Sequence, residues 1–568
     1  MSEEQKGMQV SKGWRLGLML GILAVILLAI CLKMILLYVQ DQVFLQDQGD
    51  ARSLRVVQIP AHRGMISDRN GDPLAVSAPV ATVWADPKIM NLQHASLGKL
   101  ALYLGMQREQ LVKKISDKRS RRFLYLKRQI EPVVAEKIRR LKVPGIQVER
   151  DYKRFYPAGE VAGQLVGFTN RKGEGQEGLE LAFNQALRAE PGEQLVLKDR
   201  LGRTVKHIRA ENPVHHGRSL QLTIDMRLQY LAYRELKAAA TAHKADSASL
   251  VMLDAKSGEV LTMVNYPAYN PNNPAERVSA SVRNRAVTDT FEPGSTMKPL
   301  TVSAALMSGQ YDIHSTVDTA PGRFRVKRKV IEDHGNYGEL DITGIITKSS
   351  NVGSAKLALS LKPGSLHNLF QNVGLGQSTG VGFPGEQGGV LPYLSSGQAL
   401  QRAILSYGYG LSVTPLQLAQ AYLPLANGGM KVQVSVLKNS EKIAPVRVMP
   451  ARVASQVRAM METVISAKGT GRRAAIPGYR VAGKTGTVHK VGPQGYIDDQ
   501  YISVFAGMAP ASDPKVVAVV MVDNPRDQEH FGGEVAAPVF SRAIGGTLRL
   551  LNIAPDNLTQ PAQQVVKR

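Results

Sequence analysis

The sequence predicts an α+β fold carried behind one membrane-spanning helix. Three observations predict it. An uninterrupted run of apolar residues and glycine fills residues 16–31 and resumes over 34–39. Beyond about residue 220, apolar strand-like segments stand at both ends of a long region whose middle reads as helix. Between these parts, residues 41–214 are mixed, highly charged and punctuated by turn clusters.

Residues 1–15 are short and polar, with Lys6, Lys12 and Arg15. Positive charge before an apolar span predicts a cytoplasmic tail. Residues 16–39 are long enough to cross a bilayer once, since about 20 residues suffice. Lys33 lies near one end, where its ammonium can snorkel to the interface. No small-residue cleavage site follows, so the span reads as an uncleaved signal anchor. The bland alternative is a buried core helix. On the anchor reading, everything after about residue 40 lies outside the cytoplasmic membrane.

The 568 residues allow several domains. Lys and Arg number 71 against 47 Asp and Glu, a formal charge of +24. Such an excess points to a polyanionic neighbour. Zinc-finger spacing, a basic heptad region and an aromatic–basic RNA-binding signature are absent, so nucleic acid is not expected. A membrane surface or a cell-wall polymer is favoured; the alternative is charge spread for solubility alone. The single cysteine, Cys31, lies in the apolar run and permits neither an intrachain disulfide nor a cysteine-based metal site. No metal and no cofactor is expected.

Residues 40–215 form a first domain, with strand-like runs at 55–59, 82–85 and 146–149 and helical stretches at 107–115 and 132–141. The Gly173–Gly178 segment matches G-x-G-x-x-G. Two carboxylates inside it would repel a pyrophosphate, and no βαβ unit surrounds it, so a tight structural turn is expected. Residues 216–555 form the second domain. A strand-like alternation over 220–225 precedes a helix over 226–242, then strands at 249–254 and 260–264 joined as a hairpin. Strands at 478–482, 502–508 and 516–522 are expected in the same sheet. Residues 556–568 are a polar tail, expected to be flexible.

Three patterns in the second domain carry chemistry. Ser295 and Lys298 form S-x-x-K after the turn pair Pro293-Gly294, at the start of a helix expected from Ser295 through Met307. Ser349 and Asn351 form S-x-N after a helical run at 342–347, and Lys484-Thr485-Gly486-Thr487 follows a strand-like segment. Singly, each has an ordinary structural explanation: a helix start, a cap or turn, a solvated strand end. In this order within one domain they point to a serine acyl-transferring enzyme. Serine needs a base. A free lysine, with a pKa of about 10.4, is protonated at neutral pH. Burial and a second cation, Lys484, would free the Lys298 amine to take the Ser295 proton. Ser349 could relay a proton to the leaving amine, and Asn351 could hold Lys298 and a substrate amide. Gly486 would let a ligand approach the strand edge. The Ser295 and Thr487 N–H groups are candidate oxyanion donors, each worth about 3 kcal/mol.

With these motifs the chain resembles the class B penicillin-binding proteins, within them the division-specific septal type. The resemblance extends through Arg63-Gly64-Met65, Arg154-Phe155-Tyr156-Pro157, Gly178-Leu179-Glu180, Gly382-Phe383-Pro384-Gly385-Glu386, Tyr407-Gly408-Tyr409-Gly410 and Phe531-Gly532-Gly533-Glu534. It implies a serine β-lactamase-like transpeptidase domain, an antiparallel sheet with helices, on an elongated N-terminal pedestal. It implies D,D-transpeptidation of peptidoglycan stem peptides through a Ser295 acyl-enzyme, blocked covalently by β-lactams. Thr485 and Thr487 would bind the substrate carboxylate and backbone, and Tyr407, Tyr409 and Phe531 would line the pocket. The partners implied are a septal glycan polymerase and other division membrane proteins, with the enzyme in the bacterial inner membrane, its catalytic domain periplasmic and enriched at the septum. The loops at 331–337 and 523–529 match least well. Alternatives are an elongation-type or specialised class B transpeptidase, a D,D-carboxypeptidase or β-lactamase, and a β-lactam sensor.

Overall fold

The structure, a computed structural model, describes residues 4–39, 43–44, 47, 53–199, 204–438, 443–492 and 494–557. The polar tail expected over 556–568 lies outside the described residues except for Asp556 and Asn557. The chain divides into two compact units.

The first unit comprises Met1–Ala61, Pro79–Tyr152 and Glu190–His216. It opens with a helix, Glu4–Val39, whose Gly13–Val39 part is long and apolar enough to cross a membrane. Every residue of that part is exposed, as a bilayer-facing helix requires. Strands Leu54–Ile59, Gly192–Lys198 and Thr204–Asn212 pair antiparallel as a small sheet. A separate core gathers helices Leu97–Leu104, Arg108–Ser116 and Pro132–Arg140 around the strand Leu124–Ile130, through Leu97, Leu100, Leu104, Leu111, Ile115, Leu126 and Ile138. These short helices start on local signals: a reciprocal Gln107–Gln110 capping box and a proline at the first helical position, Pro132.

The second unit comprises His62–Ala78, Lys153–Ala189 and Gly217–Arg568. Its first two segments are tied by a buried ion cluster. Glu180, fully buried, accepts from Arg63 Nε and Arg154 Nε, both at 2.6 Å. Arg63 also donates to Gly173 O at 3.0 Å and Asn184 Oδ1 at 2.8 Å. The G-x-G-x-x-G segment is the turn that wraps this cluster. A side chain at Gly175 would stand 1.9 Å from Glu180 O, so glycine is required there.

The remainder of the second unit is a five-stranded antiparallel sheet between two sets of helices. In chain order its main elements are α1 Met226–Ala242, β1 Ser247–Asp254, β2 Val260–Tyr266, α2 Lys298–Met307, α3 Asn351–Ser360, α4 Pro415–Ala426, α5 Ala451–Glu462, β3 Ala482–Gly492, β4 Gly495–Ala509, β5 Val516–Asp523 and α6 Ala536–Leu550. The strand order is β2-β1-β5-β4-β3. Along β5, Val517, Val519 and Met521 pack into one core with α2, α4 and α5. Val516, Ala518, Val520 and Val522 alternate into the other core, with α1 and α6. Both faces are covered, so β5 reads as an unbroken apolar run over 516–522 and β1 over 250–253. The segment 220–225 is strand only at Leu220–Gln221, and Asp225 instead caps α1 by accepting from Arg227 N. The strand expected at 478–482 begins at Ala482 and carries the Lys484-Thr485-Gly486-Thr487 motif within it.

Candidate active site

Ser295 stands in a 3₁₀ turn, Gly294–Met297, that runs directly into α2. The α-helix therefore begins at Lys298, three residues later than its sequence suggested. The tighter turn serves the same end, because residues three apart eclipse in a 3₁₀ helix. Lys298 Nζ lies 2.9 Å from Ser295 Oγ. Neighbouring segments hold the turn. Gly294 N donates to Gly408 O at 3.0 Å, and Tyr422 Oη donates to Thr296 O at 2.6 Å. Gly408 has φ +85°, and a Cβ there would stand 2.0 Å from Gly294 O.

Lys298 is fully buried. Besides Ser295 Oγ, its Nζ meets Ser349 O at 2.5 Å, Ser349 Oγ at 3.0 Å and Asn351 Oδ1 at 2.8 Å. The Ser349 carbonyl and Asn351 Oδ1 only accept hydrogen bonds. Asn351 Nδ2 donates to Glu332 O at 2.9 Å, which fixes which end of the amide faces the lysine. A neutral amine has two N–H groups and one lone pair. In that form the two donors match the two pure acceptors, and the lone pair is free for one of the two serine hydroxyls, Ser295 or Ser349. Burial first, and the Lys484 charge second, hold Lys298 well below the ordinary lysine range; Asp333 opposes them.

Ser349 has φ +58°, a conformation few residues other than glycine adopt. Beyond it, Ser350 caps α3 by accepting from Gly353 N at 2.8 Å. Asp333, which the sequence did not single out, seats this helix start. Its Oδ2 accepts from Ser350 Oγ at 2.6 Å, and its Oδ1 from Asn351 N at 2.5 Å and Val352 N at 3.0 Å. No local pattern marks it, because the contact joins positions across a loop.

Lys484 is fully buried on β3, and burial lowers its pKa to about 7. Its Nζ lies 3.2 Å from Thr485 O and 3.4 Å from Thr485 Oγ1. Strand β3 ends the sheet, paired with β4 alone. Gly486 was expected to make room for a ligand. A side chain there would also meet the Ser295 turn, at 3.0 Å from Thr296 Cγ2 and 3.1 Å from Pro293 O. Thr487 Oγ1 accepts from Gly532 N at 2.9 Å, and Thr485 Oγ1 lies 2.7 Å from Thr470 Oγ1.

The three aromatic candidates are placed differently. Tyr407 is buried in a small core with Val326, Ile331, Val352 and Ala403. Tyr409 lies beside it, rings 5.6 Å apart, and next to Tyr496 at 6.2 Å. Glu292 accepts from Tyr496 Oη at 2.9 Å and from Gly410 N at 2.7 Å, a link the sequence reading missed. Phe531 is 48 % exposed, one residue before the Gly532 that meets Thr487.

The arrangement is a serine hydroxyl within hydrogen-bond distance of a buried amine, beside the edge strand of a sheet. A family model described as the penicillin-binding protein transpeptidase domain matches residues 248–545, and one described as the penicillin-binding protein dimerisation domain matches 58–222. The chain belongs to the penicillin-binding protein transpeptidase family. Among penicillin-binding proteins it is similar to peptidoglycan D,D-transpeptidase FtsI of Escherichia coli strain K12, 43 % identical over 96 % of this chain and 93 % of that one. It is 41 % identical to the probable peptidoglycan D,D-transpeptidase PbpC of Pseudomonas aeruginosa, over 96 % and 97 %. Of solved structures, the transpeptidase domain of Burkholderia pseudomallei penicillin-binding protein 3 matches 59 % of this chain and 97 % of its own, with 42 % identity and a TM-score of 0.54.

Proposed function

We propose that this penicillin-binding protein is a peptidoglycan D,D-transpeptidase of the division septum. It would be anchored in the inner membrane by its N-terminal helix, with residues 216–555 as its periplasmic catalytic domain on a 40–215 pedestal. The observation that supports this most is the buried Lys298 amine, 2.9 Å from Ser295 Oγ and held by Ser349 and Asn351.

The reaction has two halves. A stem pentapeptide lies along the free edge of β3 as an added strand, its terminal carboxylate drawn to Lys484, Thr485 and Thr487. Lys298 takes the Ser295 proton as Oγ attacks the carbonyl of the penultimate D-Ala. The Ser295 and Thr487 N–H groups receive the oxyanion. Ser349 passes the proton to the departing D-Ala nitrogen, held in place by Asn351. The C–N bond breaks, free D-Ala leaves, and an ester remains on Ser295. An amine from a neighbouring stem then attacks that ester; its proton returns to Ser295 Oγ through Lys298, and a new amide forms. A β-lactam enters the first half, opens its ring and stops there. Tyr409 and Phe531 border the acyl-donor site, with Tyr407 supporting Tyr409 from the core. A septal glycan polymerase and other division membrane proteins would supply the nascent strands.

The test is to give the full chain in detergent nascent peptidoglycan bearing pentapeptides and to measure D-Ala together with cross-linked dimers. Transpeptidation releases one D-Ala for each dimer formed. Release of D-Ala without dimers would replace this reading with a carboxypeptidase, and rapid turnover of penicillin would replace it with a β-lactamase.

A further inference from the structure

The first unit presents a surface that the reaction above does not use. Strand Leu124–Ile130 pairs with the chain at Trp84, so that Trp84 stands opposite Tyr125. Phe123, at the start of that strand, lies between them. Its ring is 4.8 Å from that of Trp84 and meets Tyr125 edge-on at 4.5 Å. Arg128 folds its guanidinium over the Tyr125 ring at 3.7 Å. Phe123 and Tyr125 are each 42 % exposed. Large rings left half open on a sheet are costly unless something covers them.

The charge around these rings is one-sided. Residues 113–128 hold eight Lys and Arg against one carboxylate, Asp117. Lys118, Arg119, Arg121 and Arg122, in the turn leading to Phe123, are all exposed. Among the described residues none of the four is ion-paired to a carboxylate. Trp84 Nε1 is buried beside the rings with no hydrogen-bond acceptor.

We propose that this shelf binds a peptidoglycan strand through the sugar rings and the stem-peptide carboxylates. The proposal rests on the transpeptidase reading, and adds to it a second, non-catalytic hold on the same polymer. Faces of pyranose rings carry C–H groups that stack on aromatic rings, and carboxylates pair with arginine in a fork. A cluster of rings beside a run of cations suits a polymer that alternates sugars with acidic branches. Other occupants fit less well. The rings pack against one another and beneath Arg128 rather than protruding singly, which argues against insertion into a lipid surface. A second copy would bring like charges together in any two-fold contact.

The test uses the full chain in detergent carrying Ser295→Ala, so that no covalent trapping contributes. It is co-sedimented with whole sacculi, with sacculi stripped of stem peptides by an amidase, with anionic phospholipid vesicles and with single-stranded DNA. Phe123→Ala with Tyr125→Ala is expected to weaken binding to whole and stripped sacculi at least tenfold. Arg121→Glu with Arg122→Glu is expected to weaken whole-sacculus binding at least tenfold, to leave the stripped material unaffected and to flatten the salt dependence. With Ser295 restored, both variants should label with fluorescent penicillin at the native level, and their far-ultraviolet circular dichroism should match the native chain's, which shows that both units fold. Native-level sacculus binding by either labelled variant overturns the proposal. So does a loss seen with vesicles or DNA but not with sacculi. Failure of the native chain to label at all would instead count against the active site, and leaves the binding result to be judged separately.

Discussion

Lys298 and Lys484 are two fully buried amines in one site, and the protein spends stability to keep them there. The Lys484 pKa of about 7, against about 10.4 in an unfolded chain, means that the unfolded state binds more protons between those values. Stability therefore rises with pH through that window and falls as pH is lowered toward 7. Lys484→Met removes this cost. It should raise the unfolding temperature at pH 7 while abolishing acylation, with a gain of up to the order of 4 kcal/mol that shrinks toward pH 10. A gain that does not change with pH would contradict it. On the proposed mechanism, the same two groups would set the pH dependence of penicillin acylation. The rate should rise as Lys298 loses its proton on the acid side, and fall above about 7 as Lys484 loses the charge that attracts the ligand carboxylate. Asp333 holds the Lys298 pKa up, so Asp333→Asn should move the acid limb to lower pH. Following acylation rate against pH for both proteins checks this, and an unmoved acid limb would refute it.

The start of α3 shows what an element contributes. Asp333 accepts from Ser350 and from two backbone N–H groups, so Asp333→Asn should also cost about 2 kcal/mol in thermal unfolding. This anchor was not legible in the sequence, because it joins residues 17 apart across a loop with no repeating pattern. The motifs it positions were legible, because each fixes residue types at short spacing: Ser295 with Lys298, Ser349 with Asn351, Lys484 with Thr485. The strands β1 and β5 were legible too, since burial on both faces makes 250–253 and 516–522 apolar without a break. Strand β3 was displaced in the reading. It is an edge strand carrying Gly, Lys and Thr, and its lead-in at 478–481 is not strand. The helix expected from Ser295 is shortened by the 3₁₀ turn that packs against Gly408 and Gly486, a tertiary constraint no local signal contains. Tyr407 could not be told from a pocket residue by type alone; only the fold shows its ring in a core. Phe123 and Tyr125 were hidden for the opposite reason, since Phe123-Leu124-Tyr125-Leu126 is an apolar run flanked by charges and does not show which side chains face out.

At the scale of the whole molecule, a buried ion cluster joins the leading segments of the second unit. Glu180 compensates Arg63 and Arg154 at once. Glu180→Gln leaves both guanidinium groups without a counter-charge and should cost 3–5 kcal/mol, on the order of other broken buried pairs. The unfolding temperature should drop by several degrees while Ser295 still labels at about 25 °C; an unchanged melting curve would contradict the cluster's role. The overall charge of +24 has its densest stretch near Phe123, where the sequence alone could say only that a polyanion was nearby. All of these readings converge on one chemical event, the esterification of Ser295. The most direct test is intact-protein mass spectrometry after exposure to benzylpenicillin, followed by peptide mapping. The expected result is one added penicillin mass, on the peptide holding Ser295, in the native chain and none in Ser295→Ala. An adduct that persists in Ser295→Ala, or that maps to another residue, would contradict the account.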